Sequence, residues 1–275
     1  MKARRSLLRS GLRSLSACVL IATFTAALLA SFIAPASYET QFREDAAAPP
    51  SAKFLLGTDD LGRDRLSRLL YGSRVSLLLA PAAAALATCI GLSLGAAAGY
   101  FGGATARLAL GLTDLVASTP SLLLLLFARA LLPLNVQPDV SVAITFLLLG
   151  AVGWTSGVRV FAAAAANARN SDYVRQALAL GCRPGRIVCL HIAATVRPVI
   201  AAQFWTLVPL FLLSEANLGM LGLGVSEPLP SLGNLLAEIQ LTPELWRQPA
   251  LLAPAALLSV VLISLQGLLM KESAS

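Results

Sequence analysis

Six apolar runs decide what this chain can fold into. They lie at about 15–34, 75–98, 108–132, 140–166, 199–223 and 250–270. A helix needs about 20 mostly apolar residues to cross the hydrocarbon core of a bilayer, and each run has that length. The expected fold class is therefore all-α: a polytopic membrane protein with six transmembrane helices. The balance of residue types supports this. Of 275 residues, 57% are hydrophobic and 13% are charged, whereas a soluble domain carries about a quarter charged.

The net charge of +7 reflects membrane topology. Basic residues collect before the first run (Lys2, Arg4, Arg5, Arg9, Arg13) and between the fourth and fifth runs, where Arg169, Arg175, Arg183, Arg186 and Arg197 face one acid, Asp172. Cytoplasmic segments carry such an excess, so both are expected inside, and six crossings return the C-terminus to the same side. No aromatic residues interleave with these charges on one face, so nucleic acid is not an expected partner. The chain divides into 1–34, a basic tail and first span; 35–74, an external segment with an interfacial helix; 75–270, the transmembrane domain with an inner loop at 167–198; and 271–275, a short tail. The first run, followed by Ala34-Pro35-Ala36, also has signal-peptide features, but it is long for a cleaved segment. Cys18, Cys89, Cys182 and Cys189 form no C-x-x-C pair and are expected as small buried apolar groups.

Within the inner loop, Asn170 and Ser171 suit a helix N-cap and Asp172 places an acid in the first turn. Gly181 stands where a helix ends in the left-handed conformation, and Pro184 can restart one. Tyr173, Ala177 and Leu180 fall on one face by spacing. That face either folds back on the bundle or docks in a groove of another protein; spacing leaves both open.

Ionisable groups at membrane depth are costly and often functional. Asp114, six residues before Pro120, and Glu215 with Asn217 are the intramembrane candidates for polar contacts or gating, while Arg129 is expected to snorkel outward. Glu227, Glu238 and Glu244 read as solvated loop charges. Gly57-Thr58-Asp59 reads as a turn. Asp59, Arg63 and Asp64 are candidates for docking an external partner, with a solvated lead-in to the second span as the other reading. Arg65 and Arg68 suit an amphipathic helix at the interface. His191 is the only histidine, and a lone imidazole builds neither a metal site nor a triad. No catalytic or metal-spaced cluster appears.

Several stretches together resemble one family. Asp172-Tyr173-Val174 through Ala179-Leu180-Gly181, then Ile187 and His191-Ile192, is similar to the cytoplasmic coupling loop of binding-protein-dependent ABC importer permeases. Leu56-Gly57-Thr58-Asp59-Asp60-Leu61-Gly62-Arg63-Asp64, Gly99-Tyr100-Phe101-Gly102-Gly103, and Leu221-Gly222-Leu223-Gly224-Val225 with Gly233-Asn234-Leu235-Leu236-Ala237-Glu238 resemble segments of the dipeptide, oligopeptide and nickel permeases. The resemblance spans about 55–255. It implies an inner-membrane permease subunit with a second permease subunit, two ATPase subunits and an external solute-binding protein as partners. It also implies ATPase coupling through Asp172, Tyr173, Arg175, Ala177, Leu180, Gly181 and Arg183. The sequence departs from the family where Glu-Ala-Ala is usual, having Arg175, Gln176 and Ala177. The family's usual arginine near Asp114 is replaced by Gly111, for which Arg107 could substitute.

No cofactor is expected on this chain. A phosphate-binding loop needs Gly-Lys followed by Ser or Thr, and Lys2, Lys53 and Lys271 each follow a residue other than glycine. ATP is therefore expected on partner subunits. Read without the resemblance, six spans with a few buried ionisable groups also suit an ion-coupled secondary transporter.

Overall fold

A computed structural model of the chain describes residues 2–131, 136–182, 186, 193–241 and 249–269. Arg183, Pro184, Ile187, Cys189, His191, Glu244, Met270 and Lys271 lie outside these residues. The described residues are mostly helical, with no strand among them and only two isolated bridges, Gln41 with Arg63 and Thr58 with Asp64. The helices are α1 (Lys2–Leu28), α2 (Ala30–Ile33), α3 (Arg65–Phe101), α4 (Gly103–Ala117), α5 (Ser121–Ala130), α6 (Pro138–Gly153), α7 (Thr155–Arg169), α8 (Asp172–Ala179), α9 (Ala193–Met220), α10 (Leu232–Leu241) and α11 (Ala253–Leu269).

Four stretches are long and apolar enough to cross a membrane alone: Gly11–Leu28, Arg65–Phe101, Thr195–Met220 and Pro249–Leu269. The count reaches six if each of two bent pairs is one span. The expected third span is broken, with α4 and α5 meeting at 80°. Pro120 lacks an N–H and disfavours helical geometry at Thr119, so the chain stops and restarts there. The expected fourth span bends by 44° between α6 and α7. The helix expected over Arg65–Arg74 before the second span forms the first turns of α3 and runs into the span without interruption.

Packing divides the chain into two units. The first comprises the described parts of Met1–Ala80, Leu132–Thr145 and Leu212–Ser275; the second comprises those of Pro81–Leu131 and Phe146–Phe211. In the first unit α1 lies along α11, so close that a Cβ on Gly267 would stand 2.5 Å from Ser16 Oγ. Helices α9 and α10 cross at glycines, where a Cβ on Gly219 would stand 2.3 Å from the Gly233 carbonyl carbon. Asp64 caps α3: its Oδ2 accepts hydrogen bonds from Ser67 N at 2.8 Å and Ser67 Oγ at 2.6 Å.

In the second unit, Gly91, Gly95 and Gly99 repeat every fourth residue along one face of α3. Cβ atoms there would approach the carbonyl oxygens of Trp154, Val158 and Ala162 to 2.9, 2.6 and 2.2 Å. Small residues at this spacing let membrane helices pack backbone to backbone. Cys18 and Cys89, expected inside, lie on exposed faces of α1 and α3.

Candidate functional site

Helix α8 has the strongest two-faced pattern. Its inward face is Val174 and Ala177, which join a buried cluster with Ala96, Tyr100, Ala165, Ala168 and Val196. Burying a valine contributes about 2 kcal/mol toward seating this helix of eight residues. The expected face differs by one position: Tyr173 is 41% and Leu180 84% exposed, because the helix turns Val174 inward instead. Asp172, Arg175 and Gln176 are exposed with them. Tyr173 is held at its rim by a 2.6 Å hydrogen bond between its hydroxyl and Thr195 Oγ1.

Gly181 ends α8 with φ +77°, and Cys182 N donates to Ala177 O at 3.0 Å, closing the turn in the pattern that favours glycine. Helix α9 ends in the same way at Gly222, φ +72°, with Leu223 N donating to Leu218 O at 2.9 Å. Among the described residues, its chain neighbours aside, no atom lies within 4 Å of a Cβ built on Gly181. Ser171 does not cap with its side chain; its Oγ donates back to Ala168 O.

Among the intramembrane candidates, Asp114 Oδ1 accepts a hydrogen bond from Arg159 Nη2 of α7. The partner is thus Arg159 and not Arg107, which the sequence offered as a substitute: α4 and α7 pack together and bring the pair across 45 residues. Glu215 is fully buried and accepts from Ser76 Oγ at 2.9 Å and Gly233 N at 3.3 Å. Asn217, two positions on, points to the exposed side of α9, so the structure does not bring these two together. Arg129 is 1% exposed and does not snorkel; it packs inward in the last turn of α5.

The candidates for external docking assemble in an ionic cluster that is largely buried, with Glu227 at its exposed edge. Asp59 Oδ1 accepts from Leu61 N (3.0 Å) and Arg63 N (2.8 Å), and its Oδ2 pairs with Arg63 Nε at 2.6 Å. Arg63 Nη1 reaches Glu227 Oε2 at 2.6 Å. Arg68, 0% exposed, pairs with Asp59 at 3.4 Å and with Glu227 and Glu238 at 3.0 Å each. Asp59, Arg63, Asp64 and Arg68 are buried, so a solvated lead-in does not describe them. Glu227 is ion-paired while its side chain stays 52% exposed, and Glu238, expected as a solvated charge, is ion-paired and 26% exposed. Sequence separations of 159 and 170 residues gave no sign of these pairings.

The cluster sets its own ionisation. Burial would raise the Glu227 carboxyl, but the charge and hydrogen bonds of Arg68 and Arg63 outweigh it and hold Glu227 below its ordinary value. For Glu238 burial wins, raising it despite the pull of Arg68. Burial would lower Arg63, yet its hydrogen bonds to Asp59 and Glu227 keep it raised.

A multi-pass helical membrane protein that displays a small half-anchored helix is the class defined so far. Residues 91–271 match the family described as binding-protein-dependent transport system inner membrane component. The chain belongs to that family and is a permease subunit of a binding-protein-dependent importer, a class that implies ATPase and solute-binding partners. Over 217 residues it is 33% identical to the dipeptide transport system permease protein DppC of Haemophilus influenzae, covering 77% of this chain and 72% of that one. It is 34% identical over 249 residues to the di/tripeptide transport system permease protein DppC of Pseudomonas aeruginosa, covering 88% and 80%. The oligopeptide transport system permease protein OppC of Bacillus subtilis is 30% identical over 220 residues, covering 80% and 70%. No finding supports the ion-coupled alternative.

Proposed function

We propose that this subunit forms one half of the translocation pathway of an importer for short peptides in the bacterial inner membrane. The other half is a second permease chain. Two ATPase subunits hydrolyse ATP on the inner side, an external binding protein delivers the solute, and this chain binds no cofactor of its own. Both termini lie in the cytoplasm. The peptide assignment draws on the three relatives, each a permease of a peptide transport system.

One observation carries the coupling role: α8 is pinned by Val174 and Ala177 while Tyr173 and Leu180 remain outside. An apolar side chain 84% exposed at the end of an amphipathic helix suits a groove on a partner. ATP-driven closure of the ATPase pair moves α8, and its buried face transmits the displacement to α3, α7 and α9 through the cluster around Tyr100, Ala165 and Val196. Arg175 stands where the family has an acid, so the complementary groove carries negative charge.

The test is uptake by the assembled importer in proteoliposomes. Gly181→Val forces a β-branched residue to positive φ, a strain of about 1–3 kcal/mol, and so disorders the end of α8. Solute taken up per ATP hydrolysed is expected to fall about tenfold. Full transport by this variant would rule out α8 as the coupling element.

A further inference from the structure

Asp114 and Arg159 form an ion pair within stretches apolar enough to belong to membrane spans, yet their side chains stay 53% and 66% exposed. One turn earlier on α7, Ser156 Oγ accepts a 2.9 Å hydrogen bond from Gln203 Nε2 of α9. Ser156 and Arg159, three apart, share a face of α7. Four polar side chains from three helices of the second unit therefore gather along that face.

Three surroundings compete for it. Lipid is the poorest, because ionised groups in hydrocarbon are costly and face a bundle interior or a water-filled cavity instead. The core of an interface with a second subunit is also poor, since such cores are depleted of charged residues. Each side chain here already has a partner within its own chain, so a second subunit is not needed to satisfy it. Arg159 gives one N–H to Asp114, and a guanidinium has five; with the side chain so exposed, water suits the rest.

We propose that this face lines an aqueous stretch of the translocation pathway and that Asp114 and Arg159 contact the passing solute, a zwitterionic peptide. The inference rests on the importer reading above. The carboxylate of Asp114 takes the peptide's ammonium group, the guanidinium of Arg159 takes its carboxylate, and Ser156 and Gln203 offer hydrogen bonds to the amide between. The pair opens as the solute enters and closes as it leaves, so neither charge is left bare and the contact stays weak enough for release.

The experiment uses the assembled importer in proteoliposomes with the four native cysteines replaced by alanine. Ser156→Cys is compared with Leu112→Cys, an exposed position on the opposite side of α4 from Asp114. A charged methanethiosulfonate is expected to modify Ser156→Cys on the order of tenfold faster, and dialanine delivered with binding protein and ATP is expected to slow it. Equal, slow reaction at both positions would mean that lipid or a neighbouring helix covers the face, overturning the proposal. The exchange Asp114→Arg with Arg159→Asp keeps the pair but reverses its polarity. Maximal dialanine uptake is expected to stay about tenfold down, as in Asp114→Asn alone. Recovery to the wild-type rate would reduce the pair to a helix clamp and overturn solute contact. Absence of ATP-dependent uptake by the parent protein would defeat the importer reading instead, while the labelling contrast is read without transport.

Discussion

Two guanidiniums, Arg63 and Arg68, meet three carboxylates, Asp59, Glu227 and Glu238, in the first unit. Burial raises Glu238 because desolvation outweighs the pull of Arg68 and Arg65, and the charges of Asp59 and Glu227 add to it. Removing one partner of a buried pair is costly, so Arg68→Ala is expected to destabilise the purified protein by about 3 kcal/mol, seen as a lower melting temperature in detergent. The pH dependence has two limbs. Glu238, raised when folded, binds its proton more tightly in the native state. Its protonation therefore adds stability as pH falls through the interval above the ordinary value of 4.5. Glu227, lowered when folded, contributes stability that is lost as pH falls through its depressed value. The melting temperature should rise on mild acidification and fall on stronger acidification, and Glu238→Gln should abolish the rise. A melting curve for the parent protein that falls monotonically from neutral pH would contradict this assignment. Asp59 and Arg63 were visible as a polar motif; their partners were not, because ion pairs across more than 150 residues leave no periodicity to read.

At the scale of elements, helices α3 and α7 touch through backbone. Gly99→Leu would press a side chain against Ala162 O, 2.2 Å from the new Cβ. No rotamer relieves a clash at Cβ, so the cost exceeds the ordinary 1–3 kcal/mol of overpacking, roughly. The variant is expected to aggregate or to elute from the importer complex on size-exclusion chromatography; normal assembly and melting would refute the close crossing. The existence of α3 was plain from its apolar run, but its length was not. The charged turns at Arg65–Arg74 read as an interfacial helix because their charges break the apolar run, whereas Arg68 is neutralised by partners brought from α10 and the loop before it. Pro120 marked the place of the break; the 80° angle between α4 and α5 had no local signal. Helix α8 was legible down to its glycine stop, while its buried face was displaced from Tyr173 to Val174, because spacing on two turns of helix defines a face only loosely and packing against Tyr100, Ala165 and Val196 chose it.

For the whole molecule, the positive-inside distribution predicts an orientation that reporter fusions test. A phosphatase fused after Leu269 or within 167–182 is expected to be inactive, and one fused within 226–241 active, since the enzyme folds only outside the cytoplasm. The reverse pattern would invert the coupling reading along with the topology. By itself the sequence determined the membrane class, the apolar segments and the family motif, because solvent partition and local turn chemistry act on contiguous residues. Tertiary structure alone decided which charges are paired, which face of α8 is left outside, and where glycine permits helices to touch. Those outcomes depend on side chains meeting across distant segments, and only the packed chain sets such meetings.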